Sequence, residues 1–236
     1  MTVRFDVMVN RSEILETLRN EEAAMLESAK KQAEVIHRIR CEVSKVLEKR
    51  IHKELSFIGL GKSVFKVNVE PSGKLQSNGS DKVQFFISTN PGEPVKPLEK
   101  VVSGGELSRI MLALKTIFVD KDKIPSVIFD EIDTGISGRI AQSVSEKMYS
   151  ISIDHQVFCV THLPQIASMS DAHYHVSKET KNGKTYTEVA LLDKRSKELE
   201  IAKMIGSSEV TNITLENARE LISMADSKKQ ELKELP

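Results

Sequence analysis

Residues 127–139 read VIFDEIDTGISGR, and the fold turns on how this stretch is understood. The apolar run Val127–Phe129, preceded by Pro125 and Ser126, has the length and bounds of a buried strand. It ends in Asp130-Glu131, which puts two carboxylates at the carboxyl end of that strand, where open α/β sheets place their ligands. Strand alternation points the two side chains in different directions. Such a pair suits one carboxylate that holds Mg²⁺ through water and a neighbour that orients or deprotonates an attacking water. Asp133-Thr134-Gly135 then forms a tight turn into a helix that begins near Ser137.

Downstream, QVFCVTH (residues 156–162) is a second apolar strand with His162 at its end. If the two strands are parallel neighbours, His162 arrives beside Glu131 at one sheet edge, placed to sense or stabilise a phosphate. His155, His173 and His175 read as structural. Pro164 suits the first turn of the following helix. AHYHVSKE supplies a third strand, and Lys181-Asn182-Gly183-Lys184 a two-residue hairpin turn into TYTEVALL. Two helices follow, the first stopped at Gly206, and the polar tail SKKQELKELP is expected to fray. Strand–helix–strand–helix–strand with short links implies a parallel sheet in a layered α/β domain.

Upstream, VVSGGELSRIMLALKTIFV (residues 101–119) starts a helix with Leu107, Ile110, Met111, Leu114, Ile117 and Phe118 on one face. Gly104 and Gly105 let the backbone approach a ligand, and the free N–H groups together with Ser103 make an anion site. Glu106 closes this group of four. Two strand patterns precede it, VFKVNVE and KVQFFIST, separated by the turn-rich PSGKLQSNGSD.

The amino-terminal third reads differently. Val3, Phe5, Val7 and Val9 alternate with polar residues and Met8, a strand-like lead over residues 1–11, and Asn10 with Glu13 has capping-box spacing. From Leu15 a heptad can be counted through Glu22, Ala29, Ile36 and Val43, with Leu18, Met25, Gln32, Ile39 and Val46 in the second column. A stripe this narrow, on a helix free of Pro and Gly until Gly59, is a coiled-coil strand, and it needs a partner helix. The GLGKS at residues 59–63 has the tail of a P-loop, but Ser56 stands where the leading glycine should be. The order is also helix then strand, the reverse of a phosphate cradle. Lys62 is therefore a turn residue.

Composition narrows the classes. The 34 basic and 34 acidic residues cancel, so no global field draws the chain to nucleic acid. Cys41 and Cys159 lie far apart with no C-x-x-C, which indicates neither a metal site nor a disulfide framework, and a reduced cytosolic setting follows as the expectation. No apolar run reaches the ~18 residues of a membrane helix. The first ten residues lack a signal-peptide core.

SGGELSRIMLALK, VIFDEIDTGISGR and VTHLPQIASMSD together resemble the second half of an ATP-binding-cassette ATPase head. Within that superfamily they are similar to the carboxyl-terminal part of the RecN family, bacterial DNA-repair relatives of SMC proteins. The resemblance covers roughly Leu15 to Leu221. It implies an α/β fold: the carboxyl-terminal lobe of the head over 59–236, mainly parallel sheet flanked by helices, after a coiled-coil helix over 12–58. Position by position, it implies that Ser103, Gly104, Gly105 and Glu106 are the signature motif, contacting the γ-phosphate of ATP held by an opposite head. Asp130 is implied to be the Walker B aspartate near Mg²⁺, and Glu131 the general base. Asp133 falls in the D-loop at the dimer interface, and His162 matches the switch histidine. Val102 stands where the family usually has leucine.

The family's P-loop and Q-loop do not occur in this sequence. The resemblance therefore implies a half-head for double-strand-break repair and recombination that uses ATP and Mg²⁺. Its expected partners are a P-loop-bearing amino-terminal half, a second head and DNA, and its expected setting is the bacterial cytoplasm, near the nucleoid. Alone, the chain is expected to be inactive. The competing reading is a non-catalytic docking module that binds through its coil and sheet edge. A transporter ATPase subunit fits less well, because transporter heads lack such a heptad arm.

Overall fold

The computed structural model describes residues 2–100, 104–122, 124–181, 183–206 and 210–234; the side chains of 2–10 and 119–122 lie outside the description. The chain forms two compact units, one from residues 1–50, 64–88 and 94–99, the other from 51–63, 89–93 and 100–236.

The first unit is a helix and a small antiparallel sheet. Helix α1 spans Thr2–Phe57, about 84 Å of helical rise, and its residues up to Arg50 belong here. The strand expected at Val3–Val9 is helix instead, and Asn10 lies inside it rather than capping it. Alternating residues 3, 5, 7 and 9 also contain the i,i+4 pairs 3/7 and 5/9, so the pattern suits either state. Helix propagation from the long uninterrupted segment then decides, because extending a helix is easy where starting one is not.

Strands β1 (Val64–Gln76) and β2 (Gly79–Ser88) form a hairpin, and β3 (Lys96–Pro97) adds to β2. The stretch read as a loop from Pro71 to Asp81 is mostly strand, with a bulge between Pro71 and Gln76 and the turn confined to Ser77–Asn78. One face of α1 carries Ala33, Ile36, His37, Arg40 and Glu48 against this hairpin. His37 Nδ1 lies 2.7 Å from Asp81 Oδ1, Arg40 donates to Asp81 Oδ2 (3.0 Å) and to the Asn78 carbonyl (2.7 Å), and the Val67 N–H donates to Glu48 (2.9 Å). Gly79, at φ 112°, admits the Arg40 guanidinium where a Cβ would come within 3.2 Å of it. The heptad residues Leu15, Leu18, Met25, Ile39, Val43 and Val46 are all exposed, as a coiled-coil seam would be.

The second unit holds the end of α1 and the remaining elements. These are α2 (Gly104–Asp122), β4 (Ser126–Phe129), α3 (Gly138–Ser152), β5 (Gln156–Cys159), α4 (Pro164–Ser168), β6 (Tyr174–Lys181), β7 (Lys184–Leu191), α5 (Lys194–Gly206) and α6 (Asn212–Lys233). β4 and β5 are parallel and in register from Ser126↔Gln156 to Phe129↔Cys159, with Ser137 as the extended N-cap of α3 between them. The parallel sheet stops at two strands among the described residues. β6 pairs antiparallel with β7 and, among the described residues, with no other strand.

On α2 the buried apolar side chains are Ile110, Leu112, Ala113 and Leu114, whereas Met111 is exposed, so the core-facing stripe is rotated from the expected one. The polar tail does not fray before Lys233. Lys229 is 8% exposed, donates to the Ser170 carbonyl (3.2 Å) and Asp171 (3.0 Å), and lies over the Tyr149 ring, so its stem packs while its charge is partnered. No helix among the described residues is long and apolar enough to cross a membrane.

α1 ends in a Schellman motif: the Leu60 N–H donates to the Leu55 carbonyl (2.8 Å) and the Gly59 N–H to Ser56 (3.4 Å), with Gly59 at φ 84°. Gly61-Lys62 follows as a turn and leads into β1, so the order is helix, turn, strand, the reverse of a phosphate cradle. Lys147 from α3 locks the helix end by an ion pair to Glu54 (2.6 Å). A Cβ on Gly59 would also come 2.8 Å from Ile140 Cδ1. Gly59→Ala should therefore lower stability by about 1–3 kcal/mol, read as a lower urea midpoint; an unchanged midpoint would contradict this geometry.

The Asp81 contacts carry a pH dependence. Burial works to raise the Asp81 pKa, but hydrogen bonds and charge from Arg40 and His37 outweigh it and hold the carboxyl below its ordinary 3.8. A depressed folded pKa stabilises above the unfolded value and is lost as pH falls through the folded one. Wild type should exceed Asp81→Asn in melting temperature at neutral pH, with the gap closing well below pH 3.8. A gap that is constant with pH would remove Asp81 as its source.

Candidate functional site

β4 ends at Phe129, and the chain leaves the sheet as a tight turn. Asp130 is exposed; its Oδ1 accepts the Glu131 N–H (3.0 Å). Glu131 adopts φ 54°, the one non-glycine residue with positive φ among the described residues. This left-handed residue reverses the chain, and the turn closes with Thr134 N–H donating to the Glu131 carbonyl (3.1 Å) and Ile136 N–H to the Asp133 carbonyl (3.3 Å).

Asp133 is only 4% exposed. Its Oδ2 accepts from the Thr161 hydroxyl (2.6 Å) and the His162 backbone N–H (2.9 Å), and His162 Nδ1 lies 3.1 Å away. A carboxylate at that distance favours the proton on Nδ1, which leaves Nε2 facing outward on a side chain that is 74% exposed. Thr161 is fixed in turn by the Leu163 N–H (3.0 Å). His162 therefore meets the turn through Asp133 rather than through Glu131, the neighbour its strand position suggested. An inward-facing Asp133 carboxylate also leaves Thr134 and Gly135, both exposed, as the outer surface of this turn.

The start of α2 packs against the same turn. A Cβ on Gly104 would overlap the Glu131 carboxylate, and one on Gly105 would come 2.9 Å from Thr134 Cβ and 3.1 Å from the Glu131 carbonyl. Close approach within the chain thus requires Gly105, whose Cβ would meet backbone, while at Gly104 only the end of the Glu131 side chain would have to move. It also places the Glu131 carboxylate near the positive end of α2. Glu106 lies in the first turn of α2 and is half-buried. Ser103 lies outside the described residues.

Two residues of α2 were invisible as site residues in the sequence. The Ser108 hydroxyl donates to the Asp130 carbonyl (2.8 Å). Arg109, 6% exposed, donates from Nη1 to the carbonyls of Ile132 (3.2 Å) and Thr134 (2.8 Å). Burial pulls the Arg109 pKa down, and the charge of Glu106 one turn earlier opposes that shift. The only trace in the sequence is an arginine on an otherwise apolar helix.

The site is electronegative. Burial, with the charges of Asp133 and Asp130, pushes the Cys159 thiol up to about 12. No group of three or more His, Cys, Asp or Glu side chains able to hold a metal occurs among the described residues. Mg²⁺ does not require one, since it keeps several waters and takes one or two carboxylates plus substrate phosphates. The exposed Asp130 fits that demand.

Asp133→Ala would strand the Thr161 hydroxyl and the His162 N–H. Loss of two hydrogen bonds to a buried carboxylate should cost about 2–4 kcal/mol in denaturant unfolding. It should also bring the Cys159 pKa down from about 12, read as faster alkylation at alkaline pH. Unchanged stability would show that Asp133 does not hold this joint.

No family model matches the chain. Among curated proteins it is similar to the DNA repair protein RecN of Halalkalibacterium halodurans, 42% identical over 228 residues, covering 95% of this chain and 40% of that protein. RecN of Bacillus subtilis is 43% identical over 240 aligned residues, 95% of this chain and 42% of that protein. RecN of Vibrio cholerae is 39% identical over 214 residues, 90% and 39% respectively. The chain therefore spans about two fifths of the length of these relatives.

Among solved structures it resembles the Smc head domain with a coiled coil and joint from Pyrococcus yayanosii. That match has a TM-score of 0.56 and 18% identity, covering 80% of this chain and 34% of that one. The Smc head domain with an extended coiled coil from Pyrococcus furiosus, bound to the C-terminal domain of ScpA, gives 0.51 and 19%, covering 81% and 45%. At these identities the likeness is one of fold.

Proposed function

The chain is a homologue of the RecN proteins along the two fifths of their length that it spans, and on that footing we propose that it is half of an SMC-like ATPase head acting in DNA repair. The observation that carries the reading is the turn Asp130–Thr134, which gathers an exposed carboxylate, a second carboxylate against the start of α2, and a histidine aimed outward by a buried aspartate. In this reading Asp130 holds Mg²⁺ through water, and Glu131 takes a proton from the attacking water. His162 presents Nε2 to the phosphate. Ser103, Gly104, Gly105 and Glu106 face ATP held by a second head, which the D-loop turn at Asp133 also meets, through its exposed neighbours Thr134 and Gly135. Bound ATP supplies the γ-phosphate for hydrolysis, and a P-loop-bearing half of the same protein supplies its cradle.

The sheet supports an incomplete lobe. Parallel strands are normally covered on both faces, yet Ile128 of β4 is 72% exposed and Val160, just past β5, 65%. A second, non-catalytic reading draws on the same exposure together with the apolar seam of α1: the chain as a docking module.

Mg-dependent ATP hydrolysis separates the two. The chain alone should turn over no ATP. Mixed with a separately made P-loop-bearing half, with or without DNA, it should, and Glu131→Gln should lower the rate by roughly 10²–10⁴. Absence of activity in the mixture favours the docking module. Activity of the chain alone, lost in Lys62→Ala, would overturn the reading of GLGKS as a turn.

A further inference from the structure

Carbonyl groups along the site turn alternate in what they serve. Those of Glu131 and Asp133 accept N–H groups of the turn itself, from Thr134 and Ile136. Those of Asp130, Ile132 and Thr134 face α2 and accept from Ser108 (2.8 Å) and Arg109 (3.2 and 2.8 Å). Glu131 and Asp133 therefore each stand between two carbonyls pinned from α2: Glu131 between 130 and 132, Asp133 between 132 and 134. We propose that Ser108 and Arg109 are positioning residues, a clamp through which the helix that begins at Gly104 sets the geometry of Glu131 and, through Asp133, of His162.

Burial makes the case for Arg109. It is nearly inaccessible, its Nε is buried without a hydrogen-bond partner, and its Nη1 donates to two backbone carbonyls. A leucine or methionine would fill such a site at lower desolvation cost, so stability alone gives little reason for an arginine there. What an arginine adds is two directed N–H bonds from one nitrogen to carbonyls two residues apart. These bonds restrain backbone angles on both sides of Ile132 and support the left-handed Glu131 that precedes it. A displacement of α2 would then move Glu131 and Asp133 together, which links the helix start, the base and the histidine by a continuous run of hydrogen bonds.

The kinetic half of this inference rests on the ATPase reading; the structural half does not, and the test keeps them apart. Amide hydrogen exchange is measured first on the chain, as wild type, Arg109→Gln and Ser108→Ala. Arg109→Gln should accelerate exchange about tenfold at residues 132–136 and 162–163 while α5 and α6 stay protected. Unchanged exchange at those amides overturns the clamp. If Arg109→Gln raises exchange throughout, Ser108→Ala decides, since loss of one hydroxyl leaves the fold intact: faster exchange confined to 130–134 supports the clamp and no change refutes it.

ATP hydrolysis is then followed in the mixture with the P-loop-bearing half. There Arg109→Gln should lower kcat about tenfold or more with KM for ATP within about twofold, the mark of a misplaced base rather than weakened binding. An unchanged kcat refutes the positioning role. A wild-type mixture without activity sinks the ATPase reading and leaves the exchange result to judge the clamp.

Discussion

Glu131 sits at φ 54° in a chain that offers no glycine there, and a left-handed residue with a side chain costs roughly 1 kcal/mol or more. That conformation is what turns the chain from the end of β4 back beneath α2. It persists because its surroundings over-determine it. The two N–H bonds inside the turn, three carbonyl bonds from Ser108 and Arg109, and the three donors gathered at Asp133 all require this path. With an extended Glu131, Ile132 could not be fully buried while Asp133 reached Thr161.

Asp81 in the other unit solves a related problem. There too a carboxylate with an inaccessible side chain joins segments distant in sequence, a β-hairpin to α1, through His37 and Arg40. The two differ in charge balance. Asp81 has a permanent cation within 3.0 Å, whereas Asp133 is held by a hydroxyl, a backbone N–H and an imidazole. The first arrangement stabilises an ionised group outright. The second leaves negative charge in place, which adds to burial in raising the Cys159 pKa. A site meant to receive a cation benefits from the second.

Much of this was legible because it depends on short-range patterns. The apolar run before Asp130, the glycines before α2, the turn residues leading to Ser137 and Pro164 at a helix start are local signals, and each element formed where they placed it. The heptad in α1 was readable for the same reason. Failures came where two periods coincide or where distant partners decide. Val3–Val9 satisfies both strand and helix spacing, and continuity with α1 chose the helix. Pro71–Asp81 carries turn residues, yet pairing across the hairpin kept it extended. Ser108 and Arg109 had no local signature at all, since their partners lie more than twenty residues away.

Gly104 and Gly105 show how one pattern can mislead about its cause. Glycines before a helix are commonly assigned to a phosphate, because they bare the backbone N–H groups. Here a Cβ at Gly105 would press on Thr134 and on the Thr134 and Glu131 carbonyls of the same chain, before a ligand is considered, whereas one at Gly104 would meet only the end of the Glu131 side chain. The fold demands Gly105 on its own account. Loss of function on replacing Gly105 would therefore say nothing about contact with ATP, since the Asp130–Thr134 turn would be displaced first. Information about ligand contact has to come from groups that the fold does not need. Around this turn those are the outward Nε2 of His162 and the exposed Asp130 carboxylate through its Oδ2, since Oδ1 already accepts the Glu131 N–H.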